Sequence, residues 1–131
     1  DNLREFEITF TCKGGPYDGQ THTLLLNVKG RMPNEFPIGP PAVKFISHIW
    51  HTNINPTNGD ICLDILKSDR WSPSNSFETI VVNIIALLDQ PNVDSAYNPA
   101  AAEDWIKANG DGDAYRSITM NYYNKNNKPS K

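Results

Sequence analysis

The spacing of apolar residues changes once along this chain, and the change limits the folds that it can adopt. Apolar and polar side chains roughly alternate from Leu3 to Cys12, as they do in a strand that buries one face. Thr21 to Val28 is rich in β-branched and aliphatic residues and predicts a second strand, paired with the first, and Ala42 to Ile46 supplies a third. From Phe77 onwards apolar residues recur at helical spacing instead. Strands followed by helices predict an α+β fold, in which an antiparallel meander sheet packs against a central helix.

Local signals mark the boundaries of three predicted helices. Ser76 is a typical N-cap for the central helix, and Pro91 ends its apolar pattern. The pair Asn98-Pro99 is typical of the start of a second helix, since proline is favoured in the first turn. A third helix is predicted from Asp113, and residues 124–131 are predicted to form a polar tail that does not pack.

The composition is that of one folded domain in a reducing compartment. The 131 residues, 38% of them apolar, suit a single core over residues 1–131. A formal charge of -3 argues against nucleic acid as a partner, and no apolar run approaches the roughly 20 residues that direct membrane insertion requires. Two cysteines are too few for a secreted disulfide scaffold, so a cytoplasmic protein with free thiols is expected. Only geometry decides whether Cys12 and Cys62 pair.

An irregular segment over residues 49–76 separates the predicted strands from the central helix. Its prolines and glycines break regular structure, and ordered loops of this length are usually functional. Cys62 lies inside it, where a thiol can act as both nucleophile and leaving group for an acyl group. Cys12 belongs to the alternating pattern of the first predicted strand and is expected to be a small buried hydrophobe. Cysteine and histidine do not cluster at zinc-type spacing, so no metal or other cofactor is predicted.

Several spaced motifs resemble the signature of ubiquitin-conjugating enzymes. That family has a His-Pro-Asn triplet, then Gly-x-Ile-Cys-Leu-x-Ile-Leu and Trp-Ser-Pro, and here residues 51–53, 59–66 and 71–73 match these motifs in order. Upstream, residues 36–41 match the family's Tyr-Pro-x-x-Pro-Pro. The resemblance implies that Cys62 accepts ubiquitin as a thioester from an activating enzyme. The thioester then passes to a substrate amine or thiol, with a RING-type ligase holding the parts together.

The resemblance also implies a fold and an N-terminal element. Family members have a meander sheet, a central helix and C-terminal helices, usually preceded by an amphipathic helix that binds the activating enzyme and ligases. This chain starts at the first strand, so we expect a core without that first helix.

Four residues near the cysteine receive roles from the resemblance. His51 is expected to brace the loop through local hydrogen bonds. Asn53 matches an asparagine that either stabilises the oxyanion, a role in which one donor is worth about 3 kcal/mol, or holds the loop by bonding to backbone. Many relatives place an acid near Ser95 to orient the attacking amine, and here Asp94 is the nearest carboxylate. Ser95 is either a polar gate, a site for a phosphate, or a simple turn residue.

Two further surfaces follow from the same resemblance. The ligase is expected to contact Ile38 in the proline-rich loop and three residues after Trp71, namely Ser72, Pro73 and Ser74. Ubiquitin is expected to contact the central helix and the residues after the cysteine, namely Val82, Ala86, Leu63 and Asp64. The alternative for Ile38 is a singly exposed aliphatic side chain, which is normal on protein surfaces.

The departures from the family pattern point to a subgroup. Thr52 replaces the usual proline of the triplet, which frees φ and adds a donor, so a less rigid loop is expected. Asn53 and Cys62 are nine positions apart, one more than in most members, and Asp69-Arg70 extends the segment before Trp71. Both insertions resemble the subgroup that serves peroxisomes. That resemblance implies recruitment to the cytosolic face of the peroxisome by a membrane-anchored peroxin, and modification of the import receptor.

Three other functions compete with ubiquitin conjugation. A non-catalytic relative that only binds ubiquitin is disfavoured because such relatives lack the cysteine. A cysteine hydrolase is disfavoured because His51 and Asn53 lie on one short loop, with little room for a base oriented by a third group. A pure scaffold that binds partners through its proline-rich loop predicts that Cys62→Ser changes no activity.

Overall fold

The computed structural model describes residues 5–28, 36–67 and 69–127. Strands β1 (Glu5–Thr11), β2 (Thr21–Asn27) and β3 (Ala42–Phe45) form an antiparallel sheet in the order β1-β2-β3. This is the predicted meander, and the α+β prediction is confirmed. The beginning of the first predicted strand, at Leu3 and Arg4, lies outside the described residues.

The sheet buries one face, as the alternation in the first strand predicts. In β2 the side chains of Leu24 and Leu26 are fully buried, and in β1 the same face carries the half-buried Ile8 and Phe10. The register places Ile8 opposite Leu24, so the two strands contribute side chains to one apolar layer.

The central helix α1 (Phe77–Asp89) covers the core with one stripe of apolar residues. Ile80, Ile84 and Leu88 are buried, at the spacing that a helix requires. Ser76 caps it as predicted, because its hydroxyl accepts from the Thr79 amide while the Thr79 hydroxyl accepts from the Ser76 amide.

Helices α2 (Pro99–Lys107) and α3 (Gly112–Asn126) follow in the predicted order. The Asn98 side chain accepts from the Ala101 amide at the start of α2. The prediction that the chain is an unpacked polar tail after Asn124 is wrong for residues 125–127. Helix α3 continues, and the Asn127 side chain bonds both the amide and the carbonyl of His48 at 2.8 Å. Residues 128–131 lie outside the described part.

The segment between β3 and α1 is irregular but tightly anchored. The Phe45 amide donates to the Gly59 carbonyl, and isolated bridges join Lys44 to Asp60 and Ile54 to Ile61. Gly59 has φ +81, and a Cβ there would lie 1.9 Å from the Phe45 carbonyl oxygen, so only glycine fits. The segment therefore lies against β3 and presents residues 60–62 in a fixed position.

Within residues 5–28, 36–67 and 69–127, no helix combines the length and the apolar character needed to cross a membrane. In the same residues, no three His, Cys, Asp or Glu side chains converge into a group that could hold a metal ion.

Candidate active site

Cys62 lies on a non-helical ledge with its side chain half-buried and its thiol free. Its backbone amide donates to the Asn53 carbonyl at 2.8 Å, and the 3-10 turn Asp64–Leu66 begins two residues later. Beside it is an open groove of about 320 Å³ between the ledge and α1. The groove is lined by Cys62, Leu63, Asp64, Ile65, Asn83, Ala86, Leu87, Gln90 and Asn92. The sulfur is therefore held in place and reached from a groove.

Asn53 is fully buried beneath this ledge, and its side-chain amide is saturated with hydrogen bonds. Nδ2 donates to the carbonyls of Asn92 at 2.8 Å and Ser95 at 3.0 Å, while Oδ1 accepts from the Asn92 amide at 2.8 Å. Both amide hydrogens are in use, so an oxyanion would have to displace one of these bonds. The geometry favours the structural alternative, in which Asn53 joins the segment before Cys62 to the loop over residues 92–98.

His51 braces the same segment from the opposite end. Its Nδ1 accepts from the Asn53 amide at 3.0 Å, so Nε2 carries the proton and donates to the Leu87 carbonyl of α1 at 2.8 Å. Burial lowers the pKa of His51 to about 4. The ring is neutral at physiological pH, and neither nitrogen is free to act as a base.

Thr52 holds the 92–98 loop through its carbonyl, which accepts from the amides of Tyr97 at 2.8 Å and Asn98 at 2.9 Å. Its side chain is fully buried, and the hydroxyl has no hydrogen-bond partner. The hydroxyl itself is a desolvated polar group that costs stability.

Thr52→Val is expected to raise the free energy of unfolding by about 1 kcal/mol, because a methyl replaces an unpaired buried hydroxyl. The midpoint of thermal unfolding should rise by about 4 °C. The matched control is Thr119→Val, whose equally buried hydroxyl bonds Pro16, Gln20 and Arg116. That variant is expected to lose stability, and a loss in both variants would contradict the assignment of Thr52.

Asp94 and Ser95 lie in the 3-10 turn Val93–Ser95, which the Asn92 side chain caps by accepting from the Asp94 amide. The Ser95 carbonyl bonds Asn53, so the structure brings Ser95 into the hydrogen-bonded cluster beneath the ledge. Asp94 is exposed.

Sequence reasoning missed two side chains beside the thiol. Tyr97, from the 92–98 loop, is held by its amide on the Thr52 carbonyl, and desolvation, followed by the proximity of Cys62, raises the pKa of its hydroxyl. Lys67 also lies near Cys62 and pairs with Asp64 at 3.1 Å. The signal for Tyr97 was a large aromatic residue in an otherwise polar loop, two positions after Ser95.

The predicted contact surfaces are exposed, with one exception. Ile38 is 61% exposed, residues 72–74 are exposed, and the Trp71 indole donates to the Pro37 carbonyl at 2.9 Å, which ties the two loops together. Val82, 58% exposed, and Ala86 lie one turn apart on α1, and Asp64 is exposed. The Leu63 side chain, also predicted to contact ubiquitin, is 8% exposed and packs in the core, so it reaches the surface only at the wall of the groove beside Cys62.

The sequence and the fold were compared with those of known proteins, and both point to one family. Residues 1–120 match the family described as ubiquitin-conjugating enzyme. The chain belongs to the ubiquitin-conjugating enzyme family. It is 37% identical over 107 residues to the Saccharomyces cerevisiae ubiquitin-conjugating enzyme E2 13, covering 82% of this chain and 67% of that protein. Membership makes the chain a ubiquitin-conjugating transferase.

Solved structures of the family share its architecture. The E2 domain of a Toxoplasma gondii ubiquitin-conjugating enzyme superposes with a TM-score of 0.78 at 28% identity, over 96% of this chain and 83% of that one. The Hansenula polymorpha ubiquitin-conjugating enzyme Pex4p, solved in complex with the soluble domain of Pex22p, gives a TM-score of 0.80 at 24% identity. That superposition covers 96% of this chain and 78% of Pex4p, and it shows a common fold.

Proposed function

We propose that Cys62 is the residue on which this ubiquitin-conjugating enzyme carries ubiquitin. The observation that carries the proposal is the free, half-buried sulfur on a non-helical ledge that opens onto a groove. In charging, the Cys62 thiolate attacks the carbonyl of ubiquitin held as a thioester on the activating enzyme. The new C–S bond forms as the old one breaks, and the activating enzyme's sulfur leaves as a thiolate.

Discharge takes place at the same ledge, where ubiquitin now leaves Cys62 for the substrate. A substrate amine attacks the thioester carbonyl, the C–S bond breaks, and the electron pair returns to the Cys62 sulfur, while the nitrogen releases one proton to water as the amide forms. The chain's contribution is positional, because the hydrogen bonds of His51 and Asn53 hold the ledge against α1 and the 92–98 loop.

Two exposed surfaces suit the partners that this chemistry requires. We assign the RING-type ligase to Ile38 and residues 72–74, which the bond from Trp71 to Pro37 keeps on neighbouring loops. We assign the carried ubiquitin to the face of α1 that exposes Val82 and Ala86, beside the groove at Cys62. Exposed aliphatic residues beside polar ones are typical of such interfaces.

The test is incubation with ubiquitin-activating enzyme, ubiquitin and ATP, followed by electrophoresis without reductant. We expect an adduct that a thiol reductant removes, that Cys62→Ala abolishes and that Cys12→Ser retains. An adduct that persists in Cys62→Ala would contradict the assignment. Ubiquitin binding without any adduct would favour the alternative of a non-catalytic binding variant.

The finer proposal is that the enzyme serves peroxisomes, working at the cytosolic face of the membrane with a membrane-anchored peroxin on the import receptor. Its support is the extra residue between Asn53 and Cys62, which a tight turn accommodates. The Asn55 side chain accepts from the amides of Thr57 and Asn58, and its carbonyl accepts from the Gly59 amide. Pex4p, which shares the fold, was solved with the soluble domain of Pex22p.

A pull-down of the full chain with the soluble domain of such a peroxin tests the cellular role. Specific binding is expected, together with unchanged thioester formation. An enzyme that forms the thioester but does not bind the peroxin would refute the peroxisomal role and leave ubiquitin conjugation in place.

A further inference from the structure

We infer that Asp60 is a catalytic residue for transfer to amines, whose carboxylate accepts a hydrogen bond from the substrate amine as that nitrogen attacks the thioester on Cys62. The inference rests on the proposed function, because it adds to Cys62 a group that recognises the chemical class of the acceptor. It is carried by the backbone pairing of residues 60–62, which puts the Asp60 and Cys62 side chains on one face of the ledge.

The ledge is extended at Cys62 and pairs antiparallel with residues 53–55. An isolated bridge joins Ile54 to Ile61, and hydrogen bonds flank it on both sides, at the Asp60 carbonyl (2.9 Å) and at the Cys62 amide (2.8 Å). Side chains alternate between the two faces of an extended segment, so residues two apart share a face. Ile54 and Ile61 pack towards the core. Asp60 and Cys62 therefore both face away from it, with Cα atoms about 7 Å apart.

The sulfur divides the ledge into two sides. The groove beside Cys62 is formed with residues 63–65, which follow the cysteine, and with α1. In the proposed function the carried ubiquitin lies along this side, because it contacts α1. An acceptor amine therefore approaches from the other side, and the exposed Asp60, which precedes the cysteine, lies there.

The Asp60 carboxylate is available to an acceptor. The Asp60 amide donates to the Asn58 side chain at 2.9 Å, which fixes the residue while its side chain stays exposed. Lys44 lies opposite Asp60 in an isolated bridge, yet no lysine, arginine or histidine of the described residues forms an ion pair with this carboxylate. On the groove side, by contrast, Asp64 is paired with Lys67 at 3.1 Å. Of these two carboxylates on the ledge, Asp60 is the one whose charge is not compensated by an ion pair.

The carboxylate acts on charge that develops on nitrogen. As the neutral amine attacks the thioester carbonyl, a C–N bond forms, and the nitrogen becomes positive while the carbonyl oxygen becomes negative. The C–S bond then breaks, its electron pair returns to the Cys62 sulfur, and the nitrogen releases one proton to water. A hydrogen bond from the positive nitrogen to Asp60 is stronger than one from the neutral amine, so the contact favours the transition state over the ground state. An attacking thiolate develops no positive charge and gains nothing from Asp60.

The first measurement is single-turnover discharge of the charged full chain to free lysine, comparing wild type with Asp60→Asn. Asparagine keeps the shape of the side chain and removes its charge. We expect the second-order rate constant to fall about ten-fold, with thioester formation unchanged. The control is Asp113→Asn, which removes an exposed carboxylate at the start of α3 and should discharge like wild type. An unchanged rate constant in Asp60→Asn would overturn the inference, and a loss in Asp94→Asn alone would give the role to Asp94 instead.

The second measurement replaces lysine by β-mercaptoethanol as the acceptor, and so separates an effect on the amine from an effect on the ledge. Transfer to this thiol should be equally fast in Asp60→Asn and in wild type. An equal loss with both acceptors would show that the substitution disturbs the ledge, and would overturn the inference. Failure of wild type to form a thioester on Cys62 would refute the proposed function and this inference with it, whereas a charged Asp60→Asn variant that discharges normally to lysine refutes only the role of Asp60.

Discussion

Asn53→Ala is expected to lower the free energy of unfolding by about 3 kcal/mol and to slow ubiquitin discharge at least ten-fold. The substitution removes three hydrogen bonds and leaves the amide of Asn92 and the carbonyls of Asn92 and Ser95 without these partners. Each such loss costs about 1 kcal/mol. Discharge slows because the ledge and the 92–98 loop lose the side chain that joins them. Urea denaturation and single-turnover discharge measure the two effects.

Comparing the loss of unfolding free energy with the loss of discharge rate distinguishes the two roles considered for Asn53, stabilising the oxyanion and holding the loop. A side chain that acts only on the oxyanion would leave the unfolding free energy unchanged while discharge is lost. Asn126→Ala is a suitable control, since its amide makes one exposed hydrogen bond, to the Tyr122 carbonyl at 2.8 Å. It should change neither quantity appreciably.

Lowering the pH from 7 to 4 is expected to remove about 6 kcal/mol of stability through two buried histidines. Burial lowers the pKa of His51 and of His22 from 6.5 to about 4. The unfolded chain binds these protons first, so the stabilisation is complete above pH 6.5 and is lost as the pH falls towards 4. Each pKa unit is worth about 1.4 kcal/mol, which gives about 3 kcal/mol for each ring.

Urea denaturation at pH 7, 6, 5 and 4 measures this dependence. His22 contacts Gln20 and Ser47 through its ring nitrogens and lies outside the active site, so His22→Gln removes one titration without touching the ledge. The variant should lose about half of the pH dependence, whatever its stability at pH 7. A stability that is flat between pH 7 and pH 4 would show that the rings are not held neutral.

The elements that the sequence predicts well are those that local chemistry determines. The β2 strand and the α1 stripe follow from apolar spacing, and the starts of α1 and α2 follow from Ser76 and from Asn98-Pro99. Each signal lies within a few residues of the feature that it marks. None of these signals depends on contacts with distant parts of the chain.

The features that sequence reasoning missed depend on contacts between distant residues. Asn127 packs because its amide finds His48, 79 positions away, and polarity alone gives no sign of this. Leu63 is buried because the irregular segment folds back on the core, where no periodicity reports burial. The 92–98 loop lies beside the segment before Cys62 because the amides of Tyr97 and Asn98 both bond the Thr52 carbonyl. Choosing between an oxyanion role and a structural role for Asn53 likewise required its three hydrogen bonds to residues 92 and 95.

We propose that the sulfur of Cys62 carries the acyl group. Intact-mass spectrometry of the full chain after charging, followed by peptide mapping, tests it most directly. We expect the added mass of one ubiquitin, removed by a thiol reductant and prevented when Cys62 alone has been alkylated beforehand. An adduct that survives the reductant, or one that forms on protein with Cys62 blocked, would contradict it.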